Sequence, residues 1–317
     1  EIAVELQRNK SSVSRELAGK PRRGRGKYNA DSAHGKALKR IAQRGNTPKT
    51  ERIPELKSYI EDKMINEHWS PEQISIRLPH EYKENTDMRI APESIYQEVY
   101  RRVRRGGNGA VKEGMTDLRP HLPRRHKRRA SKGFRKTRKM ERETSLPSIE
   151  SRPKVVDRRK EIGHWEDDTM VSRESPVRLK TMTERVSGIH LIGKSKDGTA
   201  ERCDEVLIKR LGELPPEVVR TLTRDRGSEN QRVREVEQLL TLDVNFAHAY
   251  ASYERGTNEN SNGLVRRYIP KKSDFNRYSD EEIHAIEYQI NNRPRKRHGG
   301  LTPVEVFYRA TGVAIYS

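Results

Sequence analysis

Near the start of the chain apolar residues recur four apart, Ile2 with Leu6 and Val13 with Leu17. EIAVELQRNKSSVSREL therefore predicts two short helices, each with an inward pair. Arg8, Asn9 and Lys10 make a polar turn between them, and Ser11 can cap the second helix. That helix exposes Ser12, Ser14, Arg15 and Glu16, groups suited to base edges and phosphates. Lys10 and Ser11 at its entry, with Ser12, Ser14 and Arg15, are the DNA-facing candidates. The pattern fits half of a helix-turn-helix, and equally any short helical hairpin. It opens without an initiator Met or a preceding helix, so the start of the protein is expected upstream.

An Ala-spaced basic stretch from Ala30 to Arg44 extends the helical pattern, and GNTPKT then reads as a boundary. Residues 1–45 form the first expected module. In HWSPEQISIRL, Ser70 as N-cap, Pro71 at the first helical position and Gln73 three residues on predict a capping box, with Ile74 and Leu78 inward. APESIYQEVYRRV repeats the design, with Pro92 opening a helix and Ile95 and Val99 inward. Residues 50–105 are expected to be a second helix-turn-helix, or else a helical spacer, with Ser70, Gln73, Ser94 and Gln97 as its DNA-facing candidates.

Residues 106–154 contain GGNG, several prolines and RRHKRRASKGFRKTRK, with no sustained period. They predict a basic linker laid along DNA, with Arg124, Arg125, Lys127, Arg128 and Arg129 as contacts. From about Val155 the texture changes. GHWEDDTMVSR, LKTMTERVSGIHLIGKS, VVRTLTRD and VNFAHAY are strand-like, while TAERCDEVLIKRLGEL, with Val206, Leu207, Leu211 and Leu214 inward, and REVEQLLT are helical. The predicted order is three strands, helix, strand, helix, strand, then two helices. That describes a mixed α/β domain over residues 155–317, large enough to bury its own core.

Charge sharpens this division. The formal net charge is +20, and Arg101–Lys160 alone holds 22 Lys/Arg against 6 Asp/Glu. Such a block repels itself unless a polyanion neutralises it, and nucleic-acid phosphate is the fitting neutraliser. The single cysteine, Cys203, excludes a disulfide framework and an all-cysteine zinc site. The sequence shows neither a membrane-length apolar run nor a signal-peptide pattern. A cytoplasmic, nucleoid-associated protein is expected, with no membrane and no small-molecule cofactor.

Three acids stand in unusual contexts. Asp168 lies in the first strand, Asp225 ends TLTRD, and Glu259 sits in the first turn of the helix in YERGTNENSNGLVRRY. Acids at strand ends and at a helix start converge on one sheet edge, where α/β ligands bind. Three carboxylates there suit Mg²⁺, which prefers oxygen ligands, and a metal pair serves phosphodiester displacement. Parity separates the neighbours: Asp168 shares a face with His164 and Glu166, and Asp167 with Trp165 and Thr169. Trp165 is expected in the core, while His164 is either packed or in contact with a metal or phosphate. Asn258 and Asn262 flank Glu259 and are placed to orient it or to touch DNA. Arg293 and Arg295, in a basic turn near the C-terminus, are held either for DNA or for solvent.

GHWEDDT, TRDRGSEN, FAHAYASYERGTNENSNGLVRRYIPK and NNRPRKRHGGLTPVEVF together resemble the catalytic domain of transposases of the insertion-sequence-thirty (IS-thirty) family. SSVSREL, WSPEQI and ESIYQEVY extend the resemblance over nearly the whole chain. It implies a multidomain protein: N-terminal all-α helix-turn-helix modules, then an α/β ribonuclease-H-like (DDE integrase-type) catalytic domain. It also implies Asp168, Asp225 and Glu259 as the catalytic metal ligands, for Mg²⁺ or Mn²⁺, as two ions. Asp167 departs from the family pattern, which expects a small or neutral residue there.

The expected activity is binding of an element's terminal inverted repeats, followed by metal-dependent strand cleavage and transfer. The partners are DNA and a second copy of the chain, at least a dimer. A catalytically inactive, DNA-binding regulator is the alternative, and three intact acids argue against it. A retroviral-type integrase is disfavoured, because one cysteine cannot build its zinc module. Neutralising four of the ten Lys/Arg between Arg124 and Lys139 should flatten the plot of log affinity against log salt by about 3–4 units, at ~0.9 per contact. Filter binding across a salt series measures this, and an unchanged slope would make the block a solvated tether.

Overall fold

The computed structural model describes residues 2–18, 30–43, 47–123, 146–227, 230, 232–248 and 251–316. They form two compact units, Glu1–Pro54 and Glu55–Ser317. The first holds α1 (Ile2–Glu5), α2 (Lys10–Ala18), α3 (Ala30–Gln43) and α4 (Lys49–Arg52). Two expectations are corrected here. Asn9 rather than Ser11 opens α2: its carbonyl accepts the amides of Ser12 and Val13. Its Oδ1 accepts the Ser11 amide at 3.0 Å and the Ser11 hydroxyl at 2.9 Å. The Ile2/Leu6 pair does not face inward: both are exposed, and α1 buries Ala3 instead. The Leu6 amide still reaches the Ile2 carbonyl at 3.1 Å, so the two stand one turn apart as the spacing predicts, but on the side of α1 that faces solvent.

The second unit begins with α5 (Pro54–Ile65), α6 (Pro71–Glu81) and α7 (Pro92–Arg101). The Ser70 capping box forms as expected, with the Gln73 amide donated to Ser70 and the Ser70 amide donated to Gln73. Ile74, Leu78, Ile95 and Val99 are all buried. The chain then passes through the short α8 (Lys154–Arg158) into β1 (His164–Val171), β2 (Arg178–Glu184) and β3 (His190–Ser195). After these come α9 (Ala200–Gly212), β4 (Thr221–Arg224), α10 (Val233–Leu240), β5 (Asp243–Phe246), α11 (Gly256–Tyr268), α12 (Asp280–Asn291) and α13 (Pro303–Thr311).

The strands form one mixed five-stranded sheet in the order β3-β2-β1-β4-β5. β1, β2 and β3 are antiparallel to their neighbours, whereas β1–β4 and β4–β5 are parallel. The helix–strand order follows the pattern read from the sequence through α12, and α13 adds a third helix after β5. Each face of the sheet carries a core. Trp165, Met182, Leu191 and Leu222 pack with Leu207 and Leu211 of α9 and Val236 of α10. Met170, Leu179 and Ile192 pack with Val265 of α11 and with Ile283, Ile286 and Ile290 of α12. Because side chains alternate along β1, Trp165 and Asp167 look toward α9, and Asp168 and Met170 look toward α11. Gly193 in β3 admits α9, since a Cβ there would stand 2.3 Å from a Val206 methyl carbon.

The helices ahead of the sheet are joined to its far end. Arg77 of α6 makes a bidentate pair with Glu305 of α13, at 2.7 and 2.9 Å. Gln73 donates to the Pro294 carbonyl at 2.9 Å, and a His80 ring nitrogen lies 2.7 Å from the Gly299 carbonyl. Gly300 makes the approach possible: it has φ +99°, and a Cβ would meet the Ile76 carbonyl at 2.5 Å. Gly300→Ala should therefore lower stability by about 2 kcal/mol or more, since it combines a left-handed backbone with a backbone clash. Urea unfolding measures the loss, and a change below about 0.5 kcal/mol would show that this joint carries little of the fold.

Candidate catalytic site

Register brings the first two acids together. On the parallel pair, Glu166 lies opposite Thr223, so two residues further on Asp168 reaches the level of Asp225, just past the end of β4. Adjacent strands stand about 4.8 Å apart. One guanidinium bridges the two carboxylates: Arg255 lies 3.6 Å from an Asp168 oxygen and 3.0 Å from an Asp225 oxygen. A further Arg255 nitrogen interaction, 2.9 Å to the Asp167 carbonyl, fixes it to the β1 backbone.

Each carboxylate is also held by an amide. Asn262, one turn beyond Glu259 on α11, donates to Asp168 at 2.8 Å. Asn230 donates to Asp225, which also accepts the Gly227 amide at 3.1 Å. Burial pushes the Asp168 carboxyl above the usual carboxylate range. The charge of Asp225 adds to that rise, and Arg255 opposes it. A closely spaced pair of acids of this kind attracts a cation.

The helix that carries the third acid is stapled to the sheet. The Asn258 backbone amide donates to Glu166 at 3.0 Å, and the buried Arg185 guanidinium pairs with the other Glu166 oxygen. The Asn258 side chain accepts from the Thr183 hydroxyl at 2.7 Å, facing β2. Asn258 is thus buried and structural, a correction to its reading as a DNA contact: its amide secures α11 where β2 supplies hydroxyls. Asn262 orients Asp168 rather than Glu259. Glu259 itself is exposed on the neighbouring flank of α11, and among the described residues it does not close into one cluster with the other two acids.

Behind Asp168 the adjacent acid does different work. Asp167 is fully buried, 2.6 Å from the Lys180 ammonium and 3.1 Å from Arg224. Arg224 also pairs with buried Asp204 of α9. Burial works against the Asp167 charge, but Arg224 and Lys180 outweigh it and hold the carboxyl below its ordinary range. Asn230 ties this cluster to the site: its Oδ1 accepts from Lys180 at 3.0 Å and from Arg224 at 2.8 Å, while its amide holds Asp225.

The other residues singled out in the sequence are scattered. Lys10, Ser11, Ser12 and Ser14 are exposed in the first unit, and the Arg15 side chain lies outside the described residues. Ser94 and Gln97 share the open face of α7. Ser70 is buried in its cap and Gln73 spends its amide at the α6 joint. Arg124, Arg125, Lys127, Arg128 and Arg129 lie outside the described residues. Arg293 is fully buried, donating to the Glu67 carbonyl and the Tyr268 hydroxyl, so it is structural rather than a DNA contact. Arg295 is half-buried. Trp165 is buried in the core, its indole donating to the Val218 carbonyl. His164 packs against the Thr221 hydroxyl at 2.9 Å, which decides for the packed reading.

No protein-family model matches the chain. The transposase InsI for insertion sequence element IS30A of Escherichia coli (strain K12) is 35% identical over 319 residues, 99% of this chain and 79% of that protein. The transposase for insertion sequence element IS4351 of Bacteroides fragilis is 31% identical over 309 residues, 96% of this chain and 88% of that one. Among solved structures, the catalytic core domain of BIV integrase aligns with a TM-score of 0.38 at 15% identity, over 48% of this chain and 97% of that one. The sequence relatives place the chain among transposases. Identity over nearly its whole length makes it a member of the IS30 family.

The two neighbouring aspartates should separate in a stability measurement. Asp167→Asn leaves two buried cations short of a counter-charge and should cost about 3–5 kcal/mol in urea unfolding. Asp168→Asn removes only a partly exposed interaction and should change stability by less than about 1 kcal/mol. Equal losses would mean that the two side chains do not have separate roles.

Proposed function

We propose that Asp168, Asp225 and Glu259 are the metal-binding and catalytic acids of a DNA strand-cleaving and strand-transferring enzyme with a ribonuclease-H-like core. The observation that carries this reading is the Asp168–Asp225 pair, level on parallel strands and bridged by the single guanidinium of Arg255. A cation already sits between these two carboxylates, and the oxygen donors suit Mg²⁺ or Mn²⁺. Glu259 is exposed on α11, the helix that brings Asn262 to Asp168.

Two divalent ions at this site would activate the attacking oxygen and stabilise the departing one. The residues of the chain do the rest. Asn262 and Asn230 hold Asp168 and Asp225 in fixed orientation. The buried pairs behind β1 and β4 keep the strand ends from moving apart. Water is the nucleophile for cleavage, breaking the P–O3′ bond to leave a DNA 3′-hydroxyl and a 5′-phosphate. That hydroxyl then attacks a target phosphodiester, joining to its phosphorus and expelling the target strand's 3′-oxygen as a 3′-hydroxyl. No protein side chain needs to form a covalent intermediate.

The exposed serines and lysine of α2, with Ser94 and Gln97 of α7, are the candidates for reading terminal inverted repeats, and the basic segment after α7 for following the backbone. Two DNA ends must be held at once, so the working form is at least a dimer. The setting is the bacterial cytoplasm, at the nucleoid. Among the described residues no helix is long and apolar enough to cross a membrane.

Asp225→Asn and Glu259→Gln should each reduce Mg²⁺-dependent cleavage of a labelled element end at least ~10³-fold, while end binding in gel shifts stays within about threefold. Cleavage retained by Glu259→Gln would remove that residue from the site. Simultaneous loss of cleavage and binding in a folded variant would contradict the division of labour.

A further inference from the structure

Beside the first two turns of α11 lies a cavity of about 400 Å³, lined by Gly256, Thr257, Asn260 and Ser261 of that helix and by Arg159, Arg295, Lys296 and Arg297. Four of these side chains are cationic, none is acidic, and none of the four forms a salt bridge among the described residues. The nearest carboxylates are already engaged: Glu166 by Arg185, and Glu184 by the amides of Val186 and Ser187. Thr257 is only 7% exposed, and its hydroxyl has no hydrogen-bond partner. Arg159 stands in left-handed backbone, φ 51°, next to this wall. Burial, with the charges of Arg293 and Arg297, lowers Arg295 to about 9. Arg159, Lys296 and Arg297 are exposed at the rim of the cavity, and Arg295 is half-buried behind them. Like charges are gathered here beside an unsatisfied hydroxyl and the first turn of a helix whose dipole favours an anion.

We propose that this cavity is a phosphate seat for the DNA strand, distinct from the carboxylate cleft. It takes a backbone phosphodiester through Arg159, Arg295 and Arg297, with the Thr257 hydroxyl donating to it. The proposal rests on the strand-transfer reading of Asp168 and Asp225. Thr257 and Ser261 lie one turn apart on one side of α11, and Glu259, midway between them in sequence, lies across the helix. Gly256 and Asn260 carry the cavity wall part of the way round toward Glu259, so the seat and the cleft are separated by at most about one helix diameter, ~10 Å. At ~3.4 Å of axis per nucleotide, the seated phosphate belongs to a nucleotide about three steps from the reacting one. The seat would fix the strand's approach over the N-terminus of α11 while the carboxylates face the scissile bond.

The test uses the full chain without divalent metal, so that it reads binding and stability independently of cleavage. A failure of the carboxylate reading would appear in the metal-dependent assay and not here. Arg159→Gln and Arg297→Gln are compared with the wild type for binding to a DNA duplex over a fourfold salt range, and for melting temperature in chloride and in inorganic phosphate at matched ionic strength. Each variant should lower the log-affinity versus log-salt slope by ~0.9, a three- to fourfold smaller loss of affinity over that range. The double variant should lower it by about twice that. Melting temperature in chloride should hold or rise, because a repelling cation has been removed. Thr257→Val should weaken binding without changing the slope. A melting temperature that falls together with affinity would show the arginines to be structural. Unchanged slopes with stabilisation by free phosphate alone would make this a site for small anions, and either result overturns the proposal.

Discussion

The geometry depends on a buried ionic cluster behind the site. Asp167, Lys180, Arg224 and Asp204 join β1, β2, β4 and α9 with almost no solvent. A buried charge is tolerated only when paired and hydrogen-bonded, so these side chains restrict how β1 and β4 can sit against each other. That restriction sets the level of the next residue on each strand. Asp168 follows Asp167 and Asp225 follows Arg224, so a constraint on one face of the sheet becomes a separation between two carboxylates at its edge. Asn230 carries it further by hydrogen bonding to the cluster and to Asp225 at once.

The other half of the site is carried by α11. Its first turn is secured by the Glu166 carboxylate and by threonine hydroxyls of β2 acting on Asn258. The helix therefore presents Asn262 to Asp168 on one side and Thr257 and Ser261 to the basic cavity on the other. Glu259 remains on the exposed flank between these commitments, the one acid of the three whose rotamer is free of them. On the proposed function, two of the three acids are held rigidly and the third is free to adjust.

Much of this was legible in the sequence. The change from helical to strand-like periodicity marked where the sheet begins, and the capping box at Ser70 was readable because its two partners are three residues apart. Parity along HWEDDT separated Asp167 from Asp168 before any contact was known. What could not be read was which distant residues would meet. Asp167 stood out only as a departure from the family pattern, because Lys180 and Arg224, which neutralise it, lie on other strands. Asn258 and Arg293 looked like DNA contacts because amides and guanidiniums serve buried joints as readily as nucleic acid. Arg255 went unremarked although it adjoins the GTNEN motif, since its position between two acids exists only once β1 and β4 are in register. The Ile2/Leu6 pair failed for a local reason: a four-residue helix is too short for its period to fix an inward face.

The central claim is that Asp168, Asp225 and Glu259 act together on one cation site. Direct titration with Mn²⁺, followed by the loss of its free electron-paramagnetic-resonance signal in the presence of DNA, tests it without relying on turnover. The account predicts saturable binding by the wild-type chain, loss of that binding in Asp225→Asn, and marked weakening in Glu259→Gln. Equal Mn²⁺ binding by the wild type and both variants, all folded, would contradict it.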